Sequence, residues 1–393
     1  MKLIYISDNY FFRTPDGRHW SSTSFPIRYM LQRLPQLQEW TFWGRIIEAK
    51  DAASLYSLPQ EVNGCKVSYL GPSVNKKARW LWGLWIAESL YSFKRRLAQS
   101  DILFLKMPCI FPCLACHLVG QGKVVISLQV GDPEQTVRVM FPRMRWFGSL
   151  IGRYCRRISI RADRAFFVSN ALRTLYDLSK QGMVSNESRV TMEMIRTGSS
   201  GEVHRPPRIV FVGRLSAEKG VFVLLDAISR VLETLPLELW IIGSGDLRQE
   251  LENSARSLGI SESVKWLGWM PWGSALFEKL GQADTLVLPS FSEGLPLVLA
   301  EAMSQGLVVV ASAVGGIPEI LENGEAGILV PPGDVKALAS AIRQSVTDTA
   351  LRRPFIQAGF AQAKKNCLEA QTGLIMDEIQ RLIQQKSIAG KSV

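Results

Sequence analysis

Four charged side chains in the second half of this sequence have the types and spacing to bind a diphosphate and a sugar. Arg214 and Lys219 lie in the stretch GRLSAEKG, between an apolar run and a helical pattern. Arginine holds two phosphate oxygens at once and lysine adds a point charge, so this pair suits a diphosphate. Glu293 and Glu301 flank the apolar residues of EGLPLVLAE, and carboxylates are good acceptors for sugar hydroxyl groups. For the two cations taken alone, the alternative is a solvated basic loop. For the two glutamates taken alone, the alternative is the surface of a helix.

Glycines and backbone amides are predicted to complete this site. Gly213 ends the apolar run before the first cation, and Gly245 lies in the turn GSGD. A Gly-x-Gly turn is weak evidence because glycines form tight turns in many proteins. The amides of Gly294 and Leu295 precede a helix for which Pro296 is the predicted first residue. Together with the dipole of that helix, they would attract a phosphate group.

The elements that must position these residues alternate along the whole chain. Short runs that are apolar on both faces, separated by helix-length segments, are typical of parallel sheets covered by helices. Both halves are therefore predicted to be doubly wound α/β domains, with ligands at the carboxyl edge of each sheet. The predicted strands are 2–7, 41–44, 66–70, 102–106, 124–128 and 165–169 in the first half, and 208–213, 238–243, 264–267, 285–289, 308–311 and 327–330 in the second.

The chain of 393 residues is too long for one ordinary domain. We predict a first domain over residues 1–200, a second over 205–368, and a C-terminal helical segment over 369–393 that crosses back towards the first. The turn-rich stretch 198–207 is the predicted linker. Apolar runs fall short of the roughly 20 residues of a membrane-spanning helix, and the first residues lack a signal-type stretch. With six irregularly spaced cysteines, this predicts a cytoplasmic protein with reduced thiols.

Positive charge is concentrated in the first half. Residues 1–205 hold 29 Lys and Arg against 15 Asp and Glu, whereas residues 206–393 hold 17 against 20. Segments 76–96 and 142–157 mix cations with tryptophans in a helical pattern, which favours contact with an anionic membrane surface at the inner face of the cell membrane. Helices whose aromatic side chains pack on the sheet are the alternative. No recognition motif for nucleic acid accompanies the charge, so nucleic acid is not a predicted partner.

Six motifs in the second half carry a resemblance to a known family. In order and spacing they are similar to the retaining GT-B glycosyltransferases of family 4, also called glycosyl transferases group 1. The resemblance is continuous from about residue 208 to 335 and extends weakly over most of the chain. The motifs are GRLSAEKG at 213–220, GSG at 243–245, LGW at 267–269, SEGLP at 292–296 with Glu301, GGIPE at 315–319 and GILVP at 327–331.

This resemblance implies a fold and an activity. The implied fold is GT-B, in which two Rossmann-like domains face each other across a cleft. The implied enzyme is a hexosyltransferase that moves a sugar from a UDP- or GDP-sugar to a glycan or lipid-linked acceptor, with retention and without a metal or other cofactor. In the family, residues matching Arg214 and Lys219 hold the donor diphosphate. The first glutamate, here Glu293, contacts the donor sugar and the second, here Glu301, binds the ribose hydroxyls.

The first half departs from the family pattern. Gln129 occupies the position of the family's histidine, and the loop after the first strand is poor in glycine. Glutamine donates hydrogen bonds but does not transfer protons, so an acid–base role would pass to Asp132 or to the acceptor itself. A turn aspartate before Pro133 is the alternative for Asp132. Two other functions stay open: another GT-B reaction, such as an inverting transferase or sugar epimerase, and a catalytically inactive nucleotide-sugar-binding subunit.

Cysteine and histidine residues suggest one further site. Cys109, Cys113 and Cys116, followed by His117, have the spacing of an iron–sulfur or haem attachment motif. Small buried thiols on an amphipathic helix are the expected interpretation. His19 and His204 have no companion ligands nearby in the sequence, so no metal site is predicted.

Overall fold

The computed structural model describes residues 1–21, 27–49, 56–71, 82–108, 122–140, 143, 145–185, 188–198 and 201–389. Within these residues the strands form two separate sheets. The first sheet contains β1 Lys2–Arg13, β2 His19–Ser21, β3 Glu39–Glu48, β4 Tyr56–Ser57, β5 Glu61–Val62, β6 Cys65–Leu70, β7 Ile102–Met107, β8 Val124–Gln129, β9 Arg164–Phe167 and β10 Met183–Val184. The second contains β11 Arg208–Val212, β12 Glu238–Ile242, β13 Val264–Gly268, β14 Thr285–Leu288, β15 Val308–Ser312 and β16 Ile328–Val330.

All twelve predicted strands are confirmed, and both sheets have the same central order. The first runs β6-β3-β1-β7-β8-β9 and the second β13-β12-β11-β14-β15-β16, with parallel pairing throughout these strands. Each order is that of a doubly wound fold, in which the first and fourth strands lie side by side at the centre. Strands β2, β4, β5 and β10 were not predicted because runs of two or three residues show no periodicity.

Helices lie between most of the parallel strands of each sheet. Several boundaries differ from the prediction. Strands β1 and β3 are longer than predicted. Pro296 is the N-cap of the helix that carries Glu301, and the first helical residue is Leu297. The helices are α1 Ile27–Gln32, α2 Trp82–Gln99, α3 Pro133–Met140, α4 Arg145–Arg161, α5 Asn170–Tyr176, α6 Val221–Leu232, α7 Arg248–Ser257, α8 Ser274–Leu280, α9 Leu297–Ser304, α10 Ile317–Ile320, α11 Val335–Thr347, α12 Thr349–Lys365 and α13 Leu368–Ala389.

Two hydrophobic clusters correspond to the two sheets, and the chain passes between them twice. Val190 and Ile195 already belong to the second cluster. Helix α13 returns to the first, where Ile375 and Ile379 are buried. The two crossings touch, since the Leu368 N–H donates to the Val190 carbonyl at 2.7 Å.

The described part of the predicted linker is fixed to the second half. Backbone and ring nitrogens of His204 lie 3.1 and 2.9 Å from the Asp284 carboxylate. The Arg352 side chain donates to the Gly201 carbonyl at 3.0 Å. Residues 201–207 are therefore anchored against the second sheet, and the crossing lies upstream of Val190. The domain limits 200, 205 and 368 stay predictions.

Some sequence predictions fall outside the described residues. The cysteine and histidine stretch 109–117 does so, as do residues 76–81 of the first basic segment and residues 142 and 144 of the second. In the part of the chain that is described, no helix combines the length and the hydropathy needed to cross a membrane.

Candidate functional site

The loops after β11, β12, β14 and β15 meet at the carboxyl edge of the second sheet. Gly213 lies directly after β11, and Gly245 follows β12 by a short turn. The loop after β14 is joined to the loop after β11 by a 2.8 Å hydrogen bond from the Phe291 N–H to the Glu218 carbonyl. Parallel strands bring these loops together because all their carboxyl ends lie at one edge.

Lys219 and Glu293 form the central ion pair of this edge. The Lys219 Nζ lies 2.6 Å from the Glu293 Oε1, and the Ser290 hydroxyl donates to the same oxygen at 2.7 Å. Their side chains are only 17% and 9% exposed. Removing one member would leave a charge buried without its counter-charge, so each requires the other while no ligand is bound.

Arg214 is held by a glutamate that the sequence analysis did not identify. Its Nη2 lies 3.1 Å from the Glu218 Oε1, which also accepts from the Ser216 hydroxyl at 2.7 Å. The arginine side chain is 73% exposed and the Glu218 side chain is buried. Glu218 therefore orients the guanidinium group, and the other side of that group remains open to a ligand.

Two glycines of this edge allow close backbone approaches. Gly220 has φ +66°, and a Cβ there would lie 2.1 Å from the Pro289 carbonyl oxygen. A Cβ on Gly294 would lie 2.0 Å from the carbonyl oxygen of Val130, which belongs to the first half. The Gly294 carbonyl accepts from the Gly316 N–H at 2.7 Å. Side chains at these positions would displace the predicted phosphate-binding amides.

Leu295, beside Gly294, packs against both hydrophobic clusters. The predicted anion loop thus lies where the two halves meet.

Glu301 lies apart from the ion pairs, near the middle of α9. It is 5% exposed, and burial raises the pKa of its carboxyl group. The positive charge of Arg189 and the indole N–H of Trp272 act in the opposite direction and favour the ionised form. Trp272 lies in the segment after β13, and nothing in the sequence pointed to Arg189.

Further contacts join the two halves across this edge. The Glu319 carboxylate accepts from the backbone N–H and the side-chain amide of Asn170, both at 2.6 Å. The Gln135 side chain donates to the Phe291 carbonyl at 3.0 Å. The cleft between the sheets is therefore bridged by residues from both sides.

Gln129 and Asp132, from the first half, make hydrogen bonds within their own loop. The Gln129 side chain is buried and donates to the Gly131 carbonyl at 2.6 Å. The Asp132 Oδ1 accepts from the Glu134 and Gln135 amides at 2.9 and 3.2 Å, which caps α3, and from the Tyr176 hydroxyl at 2.6 Å. These contacts agree with the turn interpretation of Asp132. A catalytic role for either residue stays a prediction.

The structure thus brings Arg214, Lys219, Glu293, Gly294 and Leu295 together at one edge. Glu301 is buried within α9 and takes no part in these ion pairs. Among the residues that are described, no group of three or more His, Cys, Asp or Glu side chains is arranged to hold a metal ion.

Comparisons with known proteins agree with this architecture. Residues 196–362 match the family model described as glycosyl transferases group 1. The amylovoran biosynthesis glycosyltransferase AmsK of Erwinia amylovora is 38% identical over 148 residues, 36% of each chain. The lipopolysaccharide core biosynthesis glycosyltransferase LpsE of Rhizobium meliloti is 30% identical over 220 residues, 54% of this chain and 62% of LpsE. This chain therefore spans less than two thirds of these curated relatives.

Solved structures align over almost the whole chain. The sucrose-phosphate synthase of Thermosynechococcus elongatus has a TM-score of 0.73 at 18% identity, covering 98% of this chain and 99% of that one. Anabaena HepE in complex with UDP-glucose has a TM-score of 0.69 at 18% identity, covering 98% and 100%. At this identity the likeness establishes the fold, which is GT-B.

Proposed function

Because residues 196–362 match the model of the glycosyl transferases group 1 and the chain has the GT-B fold, we propose that the protein is a glycosyltransferase. It moves a sugar from a nucleoside diphosphate sugar to an acceptor hydroxyl group. The observation that carries this proposal is the buried Lys219–Glu293 pair at the carboxyl edge of the second sheet, beside the exposed guanidinium of Arg214. Relatives named for amylovoran and lipopolysaccharide core biosynthesis support a role in bacterial cell-surface polysaccharide or glycolipid synthesis.

When the donor binds, Lys219 and Glu293 separate and each takes a group of the donor as its new partner. The diphosphate contacts Arg214, Lys219 and the amides of Gly294 and Leu295, which stabilise the charge of the leaving group. A sugar hydroxyl then replaces Lys219 as the partner of Glu293. Since each charged group keeps a partner, the exchange avoids leaving a buried charge unpaired.

The reaction proceeds with retention at the anomeric carbon in this proposal. The acceptor attacks from the face that the leaving diphosphate departs from, and the leaving phosphate takes the acceptor proton. No enzyme base is then required, which agrees with the local hydrogen bonds of Gln129 and Asp132. The anomeric configuration of the product tests this step, because an inverting enzyme gives the opposite anomer.

The donor is a UDP- or GDP-sugar, and no metal ion takes part. Structures of HepE with UDP and with UDP-glucose support UDP as the first nucleotide to test. We would measure thermal unfolding with UDP, GDP, ADP and CDP in EDTA. A nucleotide at 100 times its dissociation constant should stabilise the protein by about 2.7 kcal/mol. Glu301→Ala should lose most of this shift, whereas Glu278→Ala, on the exposed side of α8, should keep it. If no nucleotide stabilises the wild type, the proposed function is wrong.

A non-catalytic nucleotide-sugar-binding subunit is the second candidate. The observation that favours it is that the Gln129 amide, at the position of the family's histidine, is hydrogen-bonded to its own loop. Slow hydrolysis of the donor without acceptor, abolished in Glu293→Ala, would exclude this candidate. Nucleotide binding without any hydrolysis or transfer would support it.

Helix α4 supplies a surface for the membrane that would carry a lipid-linked acceptor. It buries Gly148, Gly152 and Cys155, whereas Trp146 is 65% exposed and Ile160 56% exposed. Trp146 therefore does not pack on the sheet, which was the alternative interpretation of this segment. Exposed arginines share this face: Arg145, Arg153, Arg157 and Arg161. A cationic face with exposed tryptophan and isoleucine complements anionic lipid headgroups.

Sedimentation with vesicles tests this surface. Wild type should sediment with vesicles that contain anionic phosphatidylglycerol, less so at high salt, and weakly with phosphatidylcholine alone. Arg153→Ser combined with Arg157→Ser should reduce the affinity for these vesicles about 30-fold, since each cation near the surface contributes about 1 kcal/mol. Arg230→Ser combined with Arg256→Ser, in the second half, is the charge-matched control and should sediment as wild type does. Equal losses in both double variants would contradict a specific α4 surface.

A further inference from the structure

Phe291 is hydrogen-bonded from both halves of the chain. It belongs to the loop of residues 289–296 between β14 and α9, which we call the donor loop. Its N–H donates to the Glu218 carbonyl at 2.8 Å, within the second half. Its carbonyl accepts from the side-chain amide of Gln135 at 3.0 Å, and Gln135 belongs to α3 of the first half. Both polar backbone groups of Phe291 are therefore bound, on opposite sides of the cleft.

The place of Phe291 decides where Glu293 lies. Phe291 stands between Ser290 and Glu293 in the donor loop. The Ser290 hydroxyl and the Lys219 ammonium group both contact the Glu293 Oε1, at 2.7 and 2.6 Å. The residue before Lys219 is Glu218, whose carbonyl accepts from Phe291. A shift of the Phe291 backbone would therefore disturb the loop, the carboxylate and the turn that carries the lysine together.

The first turn of α3 holds Gln135 in the position to make this contact. The Asp132 Oδ1 accepts from the Glu134 and Gln135 N–H groups at 2.9 and 3.2 Å, and the Thr136 hydroxyl donates to the Asp132 carbonyl at 2.7 Å. Gln135 is half-buried, which limits the freedom of its side chain. A backbone carbonyl only accepts, so the contact with Phe291 requires a donor at residue 135.

We propose that Gln135 is a positioning residue for sugar transfer, which holds the donor loop so that Glu293 meets the donor sugar when the two halves are together. This inference rests on the proposed function and deepens it with a residue of the first half that no motif identifies. Gln135 acts through the Phe291 backbone and does not touch the reacting atoms. The groups proposed for the nucleotide, such as Arg214 and Glu301, lie in the second half, so nucleotide binding does not depend on Gln135.

The test separates turnover from nucleotide binding. Gln135→Met keeps the length of the side chain and removes the donor. We would measure the dissociation constant of UDP by calorimetry and the kcat of UDP-glucose hydrolysis or transfer, with GDP and a GDP-sugar if guanosine is the preferred base. The kcat should fall about tenfold, as expected for one lost hydrogen bond, while the dissociation constant stays within about twofold of wild type.

Two further variants test whether the donor at residue 135 is what matters. Gln135→Lys restores a donor of similar reach and should recover part of the kcat. Gln135→Glu places a carboxylate against the Phe291 carbonyl and should be slower than Gln135→Met. Equal losses in Gln135→Met and Gln135→Lys would overturn the inference, because a role in packing alone does not depend on a donor.

Gln249→Met is the matched control. The Gln249 amide is exposed on α7 and donates to the Asn253 side chain at 3.3 Å, within the second half. This variant should keep the wild-type kcat and dissociation constant. An unchanged kcat in Gln135→Met, or equal losses in kcat and UDP affinity, would overturn this inference alone.

The state of the wild type distinguishes this inference from the proposed function. A wild type that binds UDP or GDP but neither hydrolyses nor transfers a donor sugar would overturn the role of Gln135 and favour the non-catalytic subunit. If wild type binds none of the nucleotides, the proposed function and this inference both fall.

Discussion

The two sheets share the order of their six central strands, yet the loops at their carboxyl edges differ in what they hold. The second edge contains two ion pairs, Lys219–Glu293 and Arg214–Glu218, together with glycines that permit close backbone contact. At the first edge, Gln129 and Asp132 make hydrogen bonds to their own loop and helix. One architecture therefore carries ion pairs at one edge and locally hydrogen-bonded side chains at the other. Function depends here on loop residues and not on the order of the strands.

The largest expected effect comes from the glycine at which the two edges meet. In Gly294→Ala the new Cβ would lie 2.0 Å from the Val130 carbonyl oxygen, so the anion loop and the first half must separate. We expect donor hydrolysis or transfer to fall at least about 100-fold, because displacements near 1 Å have effects of this size. Steady-state kinetics with UDP-glucose or the donor identified by the nucleotide panel would measure it.

Gly198→Ala is its control, since a Cβ at residue 198 meets no atom within 4 Å. It should keep wild-type activity. Full activity in Gly294→Ala would mean that the two edges do not need to meet during the reaction.

The second prediction concerns the stability of the buried ion pair without ligand. Lys219→Met leaves the Glu293 carboxylate buried and unpaired, so the free energy of unfolding should fall by about 3 kcal/mol in urea denaturation. Lys2→Met in the first half removes a more exposed pair with Glu39, whose carboxylate keeps Arg96. It should cost less than about 1 kcal/mol. If both variants lost the same free energy of unfolding, the ion pair of the second half would be no more important for stability than that of the first.

The third prediction separates capping from catalysis at Asp132. Asp132→Ala removes the side-chain acceptor at the start of α3, so stability should fall by about 1 to 2 kcal/mol. Asp132→Asn retains an acceptor oxygen and should lose less than half of that. If Asp132→Asn stays folded yet loses more than about 100-fold in turnover, the first edge supplies an acid–base group. Both edges would then take part in the chemistry.

The smallest expected effect is at the exposed bridge between the halves. Glu319→Gln weakens its contacts with Asn170, which are surface contacts, so the KM for donor should rise by only about threefold. A double-mutant cycle with Asn170→Ala should give a coupling of about 0.5 to 1 kcal/mol. Glu325→Gln, also exposed but outside the bridge, should leave KM unchanged. Additive effects in the cycle would show that the contact between Glu319 and Asn170 does not help the two halves to close over the donor.

Sequence patterns predicted the sheet architecture well and the site in part. Buried parallel strands leave long apolar runs, so every predicted strand is present. Arg214, Lys219 and Glu293 were placed at one edge because they follow the predicted parallel strands 208–213 and 285–289, whose carboxyl ends lie at the same edge. Strands of two or three residues, such as β4, carried no such pattern.

The sequence by itself determined the two doubly wound halves, the concentration of charge in the first, and the cations and glutamates of the second edge, because these depend on local periodicity and short spacings. Only the tertiary structure decided which charges are paired. Lys219 against Glu293, Asn170 against Glu319, and Arg189 over the Trp272 ring depend on how separate loops meet. Contacts between distant segments are set by tertiary packing, and they leave no periodic pattern in a single sequence.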